Sequence, residues 1–488
     1  MIDLQERVNS DHDTVIIPLT PKDLEMNLRA LANSFSVNED FLQSEFKAEK
    51  KEIHSFFAKK KVILMGLGEN PKIHEIGKFC RSLAFSQRNK LAKSKIAFVL
   101  NDSFFEENVL FDAIESLASN FLLAFYELGK LKTENTDKLN IEFAGKLSFV
   151  IDTKFYKNVE KAIEKAKILA EVQQKVFDLV NLPANVLDSV TFSEKMQESG
   201  TKYGYEVKVF HKEEIEKMGM NLLLAVNQGS HIPPTFTVME YKPKSEKKLP
   251  KVALLGKGVT FDTGGVSIKD SNNMYFMKCD MAGAAAVAGA LEAVARLKLP
   301  VHLFGIVPST DNMVSSKAVV PSAIVKSYSG LSVEIIDTDA EGRLILADGL
   351  GYIAKNIEPD VIIDLATLTG SCIMALGYAA AGMFTQNEEL AQKLYNSGQK
   401  TGEKVWRLPL WEEYGASLKS DMADIKNLGA PVAGAASAAK FLEKFTQKHS
   451  AWAHLDVAGV TFTDNEFGSQ RNATAYGVRL LIDYLENL

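Results

Sequence analysis

Three acidic residues at alternate positions follow a short apolar run in the stretch 335–350, IIDTDAEGRLILADGL. Asp337, Asp339 and Glu341 fall within five residues, and like charges held this close destabilise a fold unless a positive group lies among them. The residues on both sides are hydrophobic, unlike the composition of a solvated acidic loop. The stretch therefore predicts the edge of a hydrophobic core, where a cation, most simply a metal ion, neutralises the acids.

The 488-residue chain is longer than one hydrophobic core usually supports, which predicts two domains. Apolar residues make up 46% of it and charged residues 24%, as in an ordinary globular protein. The formal net charge of -6 argues against a general affinity for nucleic acid phosphates or anionic membranes. We therefore expect neither a membrane nor a nucleic acid as a partner.

The cysteines are three in number, widely spaced and without a CxxC pair. This pattern supports neither a disulfide framework nor a thiolate zinc site, and it fits a reducing compartment. The charged N-terminal stretch lacks the apolar core of a signal peptide, and the chain has no run of about 18 apolar residues. The expected location is the cytoplasm.

The first part of the chain alternates short apolar runs, such as VIIPL, KVILMGLG and KIAFVL, with longer helical patterns. This alternation is typical of α/β folds and predicts a smaller N-terminal α/β domain over residues 1–157. The charged, amphipathic segment 158–182 ends at Pro183 and is predicted to be a connecting helix. Residues 183–488 then form the second domain.

The sequence Gly66-Leu67-Gly68 follows a predicted strand and is similar to the start of a dinucleotide-binding fingerprint. The third glycine of that fingerprint is missing, and Pro71 and Lys72 stand in its place. A plain tight turn after a strand is the favoured interpretation.

Strands and helices also alternate in the second domain, which predicts a larger α/β domain with a mixed, mostly parallel sheet flanked by helices. Two charged segments follow the predicted strands 252–256 and 333–336, and parallel strands bind ligands at their carboxyl ends. The charged residues are Lys257, Asp262, Lys269 and Asp280 in the first segment and Asp337, Asp339, Glu341 and Arg343 in the second.

Three kinds of site are compatible with these residues. Carboxylate oxygens suit magnesium, calcium or manganese, whereas lysines among the acids are also typical of a structural ion-pair network. Alternatively, one lysine with a lowered pKa binds a metal through its neutral amine while a second stays charged to stabilise an oxyanion. Bridging carboxylates would then support two metal ions that share a nucleophilic water.

Other interpretations have weaker support. The DxDxEG order, with Asp348 eleven positions after Asp337, nearly fits a calcium-binding EF-hand loop, but a β-type run precedes it where a helix is required. Cys279 and Cys372 have no neighbouring histidine in the sequence to activate a thiol. We expect His454 to be a hydrogen-bonded core group or a group behind the site.

Several motifs of the second domain occur in order and at spacings that resemble the leucyl aminopeptidases of the M17 peptidase family. They are GKGVTFDTGGVSIK, MKCDMAGAAAV, DTDAEGRLILADGL, DLATLTG, KSDMADIKNLG, AWAHLDVAG and ATAYGVRLL. The resemblance extends from about residue 181 to the C-terminus. The first domain is similar only in layout.

The resemblance implies a cytoplasmic metallo-aminopeptidase that removes N-terminal amino acids, leucine-like ones preferred, from peptides with a free N-terminus. It further implies that a water or hydroxide bridging two divalent ions, Zn²⁺ and/or Mn²⁺ with Mg²⁺ possible at one position, would attack the peptide bond. Lys257 and Asp280 would bind the ion on the amine side, Asp339 the other ion, and Asp262 and Glu341 both. Lys269 would stabilise the oxyanion, and Arg343 would hold a bicarbonate that acts as general base.

The resemblance also implies a pocket for the substrate side chain and assembly into a homohexamer. The pocket residues correspond to Met277, Thr367, Gly370, Ala458 and Thr461. Thr461 stands where the family often has methionine, Asp337 where asparagine is usual and Cys279 where an aromatic residue is common. Two alternatives remain: a DNA-binding regulator, which the acidic composition disfavours, and an inactive relative, which the complete set of charged residues disfavours.

Overall fold

The computed structural model describes residues 1–100, 107–134, 142–464 and 467–488. The chain divides into two compact units, Met1–Glu171 and Val172–Leu488, and the division falls within the helix Tyr156–Asn181. Among the described residues, no helix is both long enough and apolar enough to cross a membrane.

The first unit is built around a six-stranded sheet with the order β1-β6-β5-β2-β4-β3. All neighbouring strands are parallel except the edge pair β3–β4. Alternate residues of its central strands enter two different cores: Ile16 belongs to one and Val15 to the other. The strands are β1 Ile2–Gln5, β2 Thr14–Leu19, β3 Ile53–Phe57, β4 Lys61–Gly66, β5 Lys95–Val99 and β6 Lys146–Val150. The helices are Pro21–Phe35, Glu39–Glu45, Ile73–Ser86, Arg88–Leu91 and Glu107–Leu123.

The glycines after β4 are explained by close packing of the backbone. Gly68 has a φ of +74°, and a Cβ on Gly66 would lie 2.1 Å from the carbonyl oxygen of Glu49. Both positions therefore need glycine for the turn itself.

The second unit contains a nine-stranded sheet with the order β16-β15-β18-β14-β9-β11-β8-β7, and β10 also pairs with β11. Its centre, from β18 to β11, is parallel, and antiparallel pairs lie towards both edges. The strands of this sheet are β7 Glu206–Phe210, β8 Thr235–Tyr241, β9 Lys251–Gly256, β10 Gly258–Asp262, β11 His302–Asn312, β14 Val361–Ala366, β15 Ala381–Phe384, β16 Val405–Arg407 and β18 Trp452–Asp456.

Two small sheets complete the strands of this unit. They consist of β12 Ile324–Lys326, β13 Ser332–Glu334 and β17 Ile425–Lys426 in one and β19 Phe462–Asp464 and β20 Asn472–Ala473 in the other. The α-helices are Ser189–Tyr203, Lys212–Met218, Asn221–Asn227, Ala282–Leu297, Gly342–Tyr352, Gly370–Leu376, Glu388–Thr401, Gly434–Glu443 and Val478–Glu486, and the short 3₁₀ turns are Met274–Cys279 and Glu412–Leu418.

The small residues of the helix Ala282–Leu297 allow it to pack closely on the central strands. A Cβ on Gly283 would lie 2.2 Å from the carbonyl oxygen of Leu365 in β14. The backbone N–H of Ala284 donates to the carbonyl oxygen of Lys257, 3.1 Å away. The start of this helix is thereby fixed at the carboxyl ends of β9 and β14.

The predicted fold class, a smaller and a larger α/β unit with a mostly parallel sheet in the second, is confirmed. The prediction for residues 333–336 is wrong in one respect. The strand there is Ser332–Glu334, and it pairs with β12 and β17 in a small separate sheet instead of joining the main one. The second acidic segment therefore reaches the carboxyl edge of the main sheet from outside it.

Candidate active site

The first charged segment leaves the main sheet at two neighbouring points. Lys257 directly follows β9, and Asp262 is the last residue of β10. Asp280 comes after the 3₁₀ turn Met274–Cys279 and just before the helix Ala282–Leu297. Asp262, Asp280 and Lys257 are all buried.

The second charged segment is fastened to the first through Thr338. Its hydroxyl donates to the carbonyl oxygen of Gly264 at 2.6 Å and accepts from the N–H of Ser267 at 2.8 Å. Asn312, at the end of β11, donates to both the Thr338 carbonyl oxygen at 3.0 Å and Asp262 Oδ1 at 2.9 Å. These bonds bring the two acidic loops together although about 75 residues separate them in the chain.

Lys257 lies between two buried carboxylates. Its Nζ is 2.7 Å from Asp280 Oδ2 and 2.8 Å from Glu341 Oε1, and it donates to the Thr367 carbonyl oxygen at 3.0 Å. Lys269 makes the equivalent contacts on the other side of the site, 2.8 Å from Asp262 Oδ2 and in an ion pair with Asp339. Each lysine thus joins an acid of the first segment to an acid of the second.

Asp262, Asp280 and Glu341 each direct one oxygen to a common point, with the three oxygens within 4.8 Å of one another. Asp280 Oδ2 and Glu341 Oε1 are buried, and among the described residues their polar contact is the Lys257 ammonium group, at 2.7 and 2.8 Å. Buried carboxylate oxygens in this condition are suited to a cation. The residues therefore fit a divalent metal site, with carboxylate oxygens and a potential amine nitrogen as ligands.

The balance of charge in the cluster also supports a metal site. Burial raises the pKa of Asp280 and Glu341 above the ordinary values, although both lysines oppose this. Burial also raises the pKa of Asp339 to about 7, against the effect of Lys269. For Lys257 and Lys269, burial disfavours the charged form, but the surrounding carboxylates outweigh it and raise both pKa values. Four carboxylates face only two ammonium groups in the cluster, and the excess negative charge would be neutralised by divalent cations.

Arg343 lies in the first turn of the helix Gly342–Tyr352 and is buried. Its Nη1 donates to the backbone carbonyl oxygen of Asn427 at 2.7 Å, whereas its Nε has no hydrogen-bond partner among the described residues. Burial lowers the pKa of Arg343 to about 10, against the influence of nearby carboxylates. A free N–H of a buried guanidinium is a donor for a small anion.

The five residues proposed for the side-chain pocket lie on three segments that contact one another. Thr367 donates to Asp280 Oδ1 at 2.7 Å, and Asp280 N–H donates to the carbonyl oxygen of Met277. A Cβ on Gly459 would lie 2.3 Å from the carbonyl oxygen of Gly377, which places the turn carrying Ala458 and Thr461 against the helix that begins at Gly370. Thr461 is buried, and its hydroxyl donates to the Val457 carbonyl oxygen at 3.2 Å.

Several residues singled out in the sequence lie outside this cluster. Asp337 Oδ1 accepts from the N–H of Asp339 at 2.8 Å, so its side chain shapes the turn. Asp348 is buried within a helix and accepts three backbone N–H groups, which is incompatible with an EF-hand loop. His454 is fully buried against Asp364, as expected for a core group. Burial raises the pKa of Cys279 to about 12, so its thiol is a poor nucleophile.

Sequence reasoning missed the uncharged residues that hold the acidic loops, namely Asn312, Thr338 and Asn427. Asn427 lies within KSDMADIKNLG and Thr338 within DTDAEGRLILADGL, and these two motifs, quoted for the resemblance, are the signals that could have drawn attention to them. Asn312 has no such signal, because its partners Asp262 and Thr338 are distant in the chain.

Comparison with known proteins gives the same family at the levels of sequence and structure. Residues 175–482 match the cytosol aminopeptidase family, catalytic domain. A probable cytosol aminopeptidase of Chloroherpeton thalassium is 44% identical, with 97% of each chain covered. One of Chlorobium limicola is 42% identical, covering 97% of this chain and 96% of the relative.

Two solved structures are similar over nearly the whole chain. A mutant of tomato leucine aminopeptidase has a TM-score of 0.89 and 28% identity, covering all of this chain and 96% of its own. The bottromycin maturation enzyme BotP in complex with Mn has a TM-score of 0.82 and 27% identity, covering 97% of this chain and 99% of its own. The chain thus belongs to the cytosol aminopeptidase family and is a hydrolase, a metallo-exopeptidase of the leucyl aminopeptidase type.

Proposed function

We propose that this aminopeptidase uses two divalent ions to release N-terminal residues, leucine-like ones preferred, from peptides with a free α-amine. The observation that carries the proposal is the convergence of three buried carboxylates, Asp262, Asp280 and Glu341, between two lysines. Zn²⁺ and Mn²⁺ are the proposed ions, with Mg²⁺ possible at one position. BotP, a structural relative, was solved in complex with Mn.

The proposed ligand roles are those that the resemblance to the family implies, and the grouping of Asp262, Asp280 and Glu341 supports them. Lys257 and Asp280 would hold the ion on the amine side, Asp339 the other, and Asp262 and Glu341 would contact both. When bound, the ions supply Lewis acidity that lowers the pKa of a water molecule and positive charge that orients the α-amine and the scissile carbonyl group. An internal peptide bond lacks the free amine, which explains action at the N-terminus alone.

Two residues complete the proposed chemistry. Lys269 is partly exposed, and its ammonium group would donate to the carbonyl oxygen that becomes negatively charged. Arg343 would hold bicarbonate through its free Nε–H, and the bicarbonate would accept the proton of the attacking water. Lys269 forms an ion pair with Asp339. Arg343 lies two residues after Glu341, in the first turn of the helix Gly342–Tyr352.

A panel of aminoacyl anilides, assayed with the metal-stripped protein plus Zn²⁺, Mn²⁺ or Mg²⁺, tests reaction, pocket and metal together. We expect hydrolysis of leucine-like anilides, loss of activity with a chelator and recovery with Mn²⁺ or Zn²⁺. N-acetyl-leucine anilide is the matched control because it differs only in its blocked amine. Chelator-resistant turnover, or equal hydrolysis of the blocked substrate, contradicts the proposal.

The pocket allows a finer expectation about side-chain preference. Thr461 is smaller and more polar than the methionine that the family often has at this position, and its hydroxyl is satisfied by the Val457 carbonyl oxygen. We therefore propose a broader preference among medium-sized apolar side chains than strict selection of leucine. In the anilide panel, methionine and valine substrates would then approach the kcat/KM of the leucine substrate.

We propose a homohexamer that acts in the cytoplasm. Exposed apolar side chains, including Met374 and Val432, lie on neighbouring segments beside the pocket, because a Cβ on Gly434 would lie 2.5 Å from Ser371 Oγ. Exposed apolar patches often mark protein interfaces. Light scattering after size-exclusion chromatography would give the mass of six chains, and a monomer at micromolar concentration contradicts the assembly.

Two observations support the proposed cytoplasmic location. The three cysteines are free, as expected in a reducing compartment, and the relatives are named cytosol aminopeptidases.

A further inference from the structure

Asn427 makes an unusual number of contacts with the loop that carries Asp339, Glu341 and Arg343. It follows β17 and is completely buried. Its Oδ1 accepts from the backbone N–H groups of Ile336 at 2.7 Å and Asp337 at 3.3 Å. All of these contacts join segments that are about 90 residues apart in the chain.

The donor side of the same amide contacts the loop at two further points. Nδ2 donates to the carbonyl oxygens of Asp337 at 2.7 Å and Ala340 at 3.3 Å. These two carbonyl groups lie on either side of Asp339, and Ala340 directly precedes Glu341. One side chain therefore fixes the backbone from which both acids project.

The backbone of Asn427 is itself anchored. Its N–H donates to the carbonyl oxygen of Glu334 in β13 at 3.0 Å, and its carbonyl oxygen accepts from Arg343 Nη1 at 2.7 Å. The residue thus ties the end of the small sheet, the acidic loop and the start of the helix Gly342–Tyr352 to one another.

We propose that Asn427 is a positioning residue that sets the geometry of metal binding by Asp339 and Glu341. The inference rests on the proposed two-ion function and assigns a role to a residue that touches neither ion. Groups that orient metal ligands are worth roughly 10- to 100-fold in metal affinity. A loop that loses these four hydrogen bonds, which involve three of its residues, would present its two acids in many arrangements, of which few bind the ion well.

The test measures Mn²⁺ binding to metal-stripped protein by calorimetry, independently of catalysis. We expect Asn427→Ala to bind Mn²⁺ about 10- to 100-fold more weakly than wild type. The Mn²⁺ concentration needed for half-maximal activity should rise, and kcat should recover in part at saturating Mn²⁺. Asn120→Ala is the matched control: Asn120 is a buried amide of the first unit that donates to the Ser116 carbonyl oxygen at 2.9 Å, and its loss should leave the Mn²⁺ affinity unchanged.

Asn427→Asp keeps the test decisive if the alanine variant does not fold. Aspartate retains the size of the side chain and the bonds accepted from Ile336 and Asp337, and it loses the two donated bonds. The oxygen that replaces Nδ2 faces the carbonyl oxygens of Asp337 and Ala340, whereas the added negative charge favours cations. Weaker Mn²⁺ binding in this variant therefore reports the disturbed loop and not a loss of charge. Wild-type affinity in the folded Asn427 variants overturns the inference alone. A wild-type protein that neither binds Mn²⁺ nor hydrolyses anilides overturns the proposed function and the inference with it.

Discussion

The side chain of Lys257 reaches its two carboxylates because the residue beside it has no side chain. A Cβ on Gly342 would lie 2.5 Å from Lys257 Cε and 2.7 Å from its Nζ. Any larger residue at position 342 would push the ammonium group away from Asp280 and Glu341. Position 342 therefore needs glycine to leave room for the Lys257 side chain, and not because of its own backbone conformation.

We expect Gly342→Ala to lower kcat/KM for leucine anilide by about 100-fold, a loss typical of a displacement of about 1 Å in an active site. Gly351→Ala is the control on the same helix. Its added Cβ would lie 3.3 Å from Tyr328 Cδ1, and the position is ten residues after Glu341 in the sequence. The kcat/KM of this variant should remain close to the wild-type value. Wild-type kinetics in Gly342→Ala would contradict the role of this contact.

Lys269→Ala and Glu341→Ala are expected to abolish anilide hydrolysis for different reasons. Loss of a donor to a developing oxyanion costs roughly 100- to 1,000-fold in kcat, whereas loss of Glu341 removes a proposed metal ligand. Mn²⁺ calorimetry separates the two, because the lysine variant should still bind the ion and the glutamate variant should bind it far more weakly. Full activity of either folded variant contradicts its assignment.

At the residue scale, the charged members of the cluster could be predicted from the sequence and the amides could not. Asp339, Glu341 and Lys257 stand out because their charges demand compensation. Asn427 carries no charge, and its partners are backbone atoms about 90 residues away, so its role depends on contacts that only the folded chain supplies.

At the scale of elements, the alternation of strands and helices was predictable, whereas the membership of short strands was not. The strand Ser332–Glu334 has one buried apolar residue between two polar ones, a pattern that fits any half-buried strand. Its sheet is decided by pairing with Ile425–Lys426, two residues long. Similarly, the strand His302–Asn312 is unusually long, at 11 residues. This length matters because it delivers the Asn312 amide to Asp262.

The C-terminal helix Val478–Glu486 gives a test at the same scale. Glu403 accepts from the N–H groups of Gly477 at 2.9 Å and Leu480 at 2.8 Å through the same oxygen. Burial raises the pKa of Glu403 from 4.5 to about 7, although these N–H groups and Arg479 act in the opposite direction. The neighbouring Tyr476 hydroxyl donates to the Lys404 carbonyl oxygen.

The sign of the pH dependence follows from this shift. Between pH 4.5 and 7 the folded state retains a proton that the unfolded state has lost, so Glu403 lowers the free energy of unfolding as the pH rises, by roughly 3 kcal/mol in total. Glu403→Gln keeps an oxygen for both N–H groups and removes the titration. Denaturant unfolding at pH 5 and pH 8 should show a smaller loss of stability in the variant. The same pH dependence in both proteins would show that Glu403 does not titrate in this range.

At the scale of the whole molecule, ions that bind only the folded protein must stabilise it. We expect the Tm of the second unit to rise when Mn²⁺ is added to metal-stripped protein, by the equivalent of about 2.7 kcal/mol at 100 times the Kd. Glu341→Ala should show a much smaller rise at the same Mn²⁺ concentration. An identical Tm with chelator and with Mn²⁺ would contradict binding of the ion to the folded state.

The place of β18 in the main sheet has a consequence for how the protein is made. Trp452–Asp456 lies between β14 and β15, which precede it by about 90 and 70 residues. As the polypeptide leaves the ribosome, the residues of the first unit are complete at residue 171. In contrast, β14 and β15 cannot take their places in the sheet until β18, which lies between them, has been synthesised. Until then their apolar faces and unpaired edges are open to chaperones and to neighbouring nascent chains. Proteolytic activity therefore cannot arise before synthesis has passed residue 456.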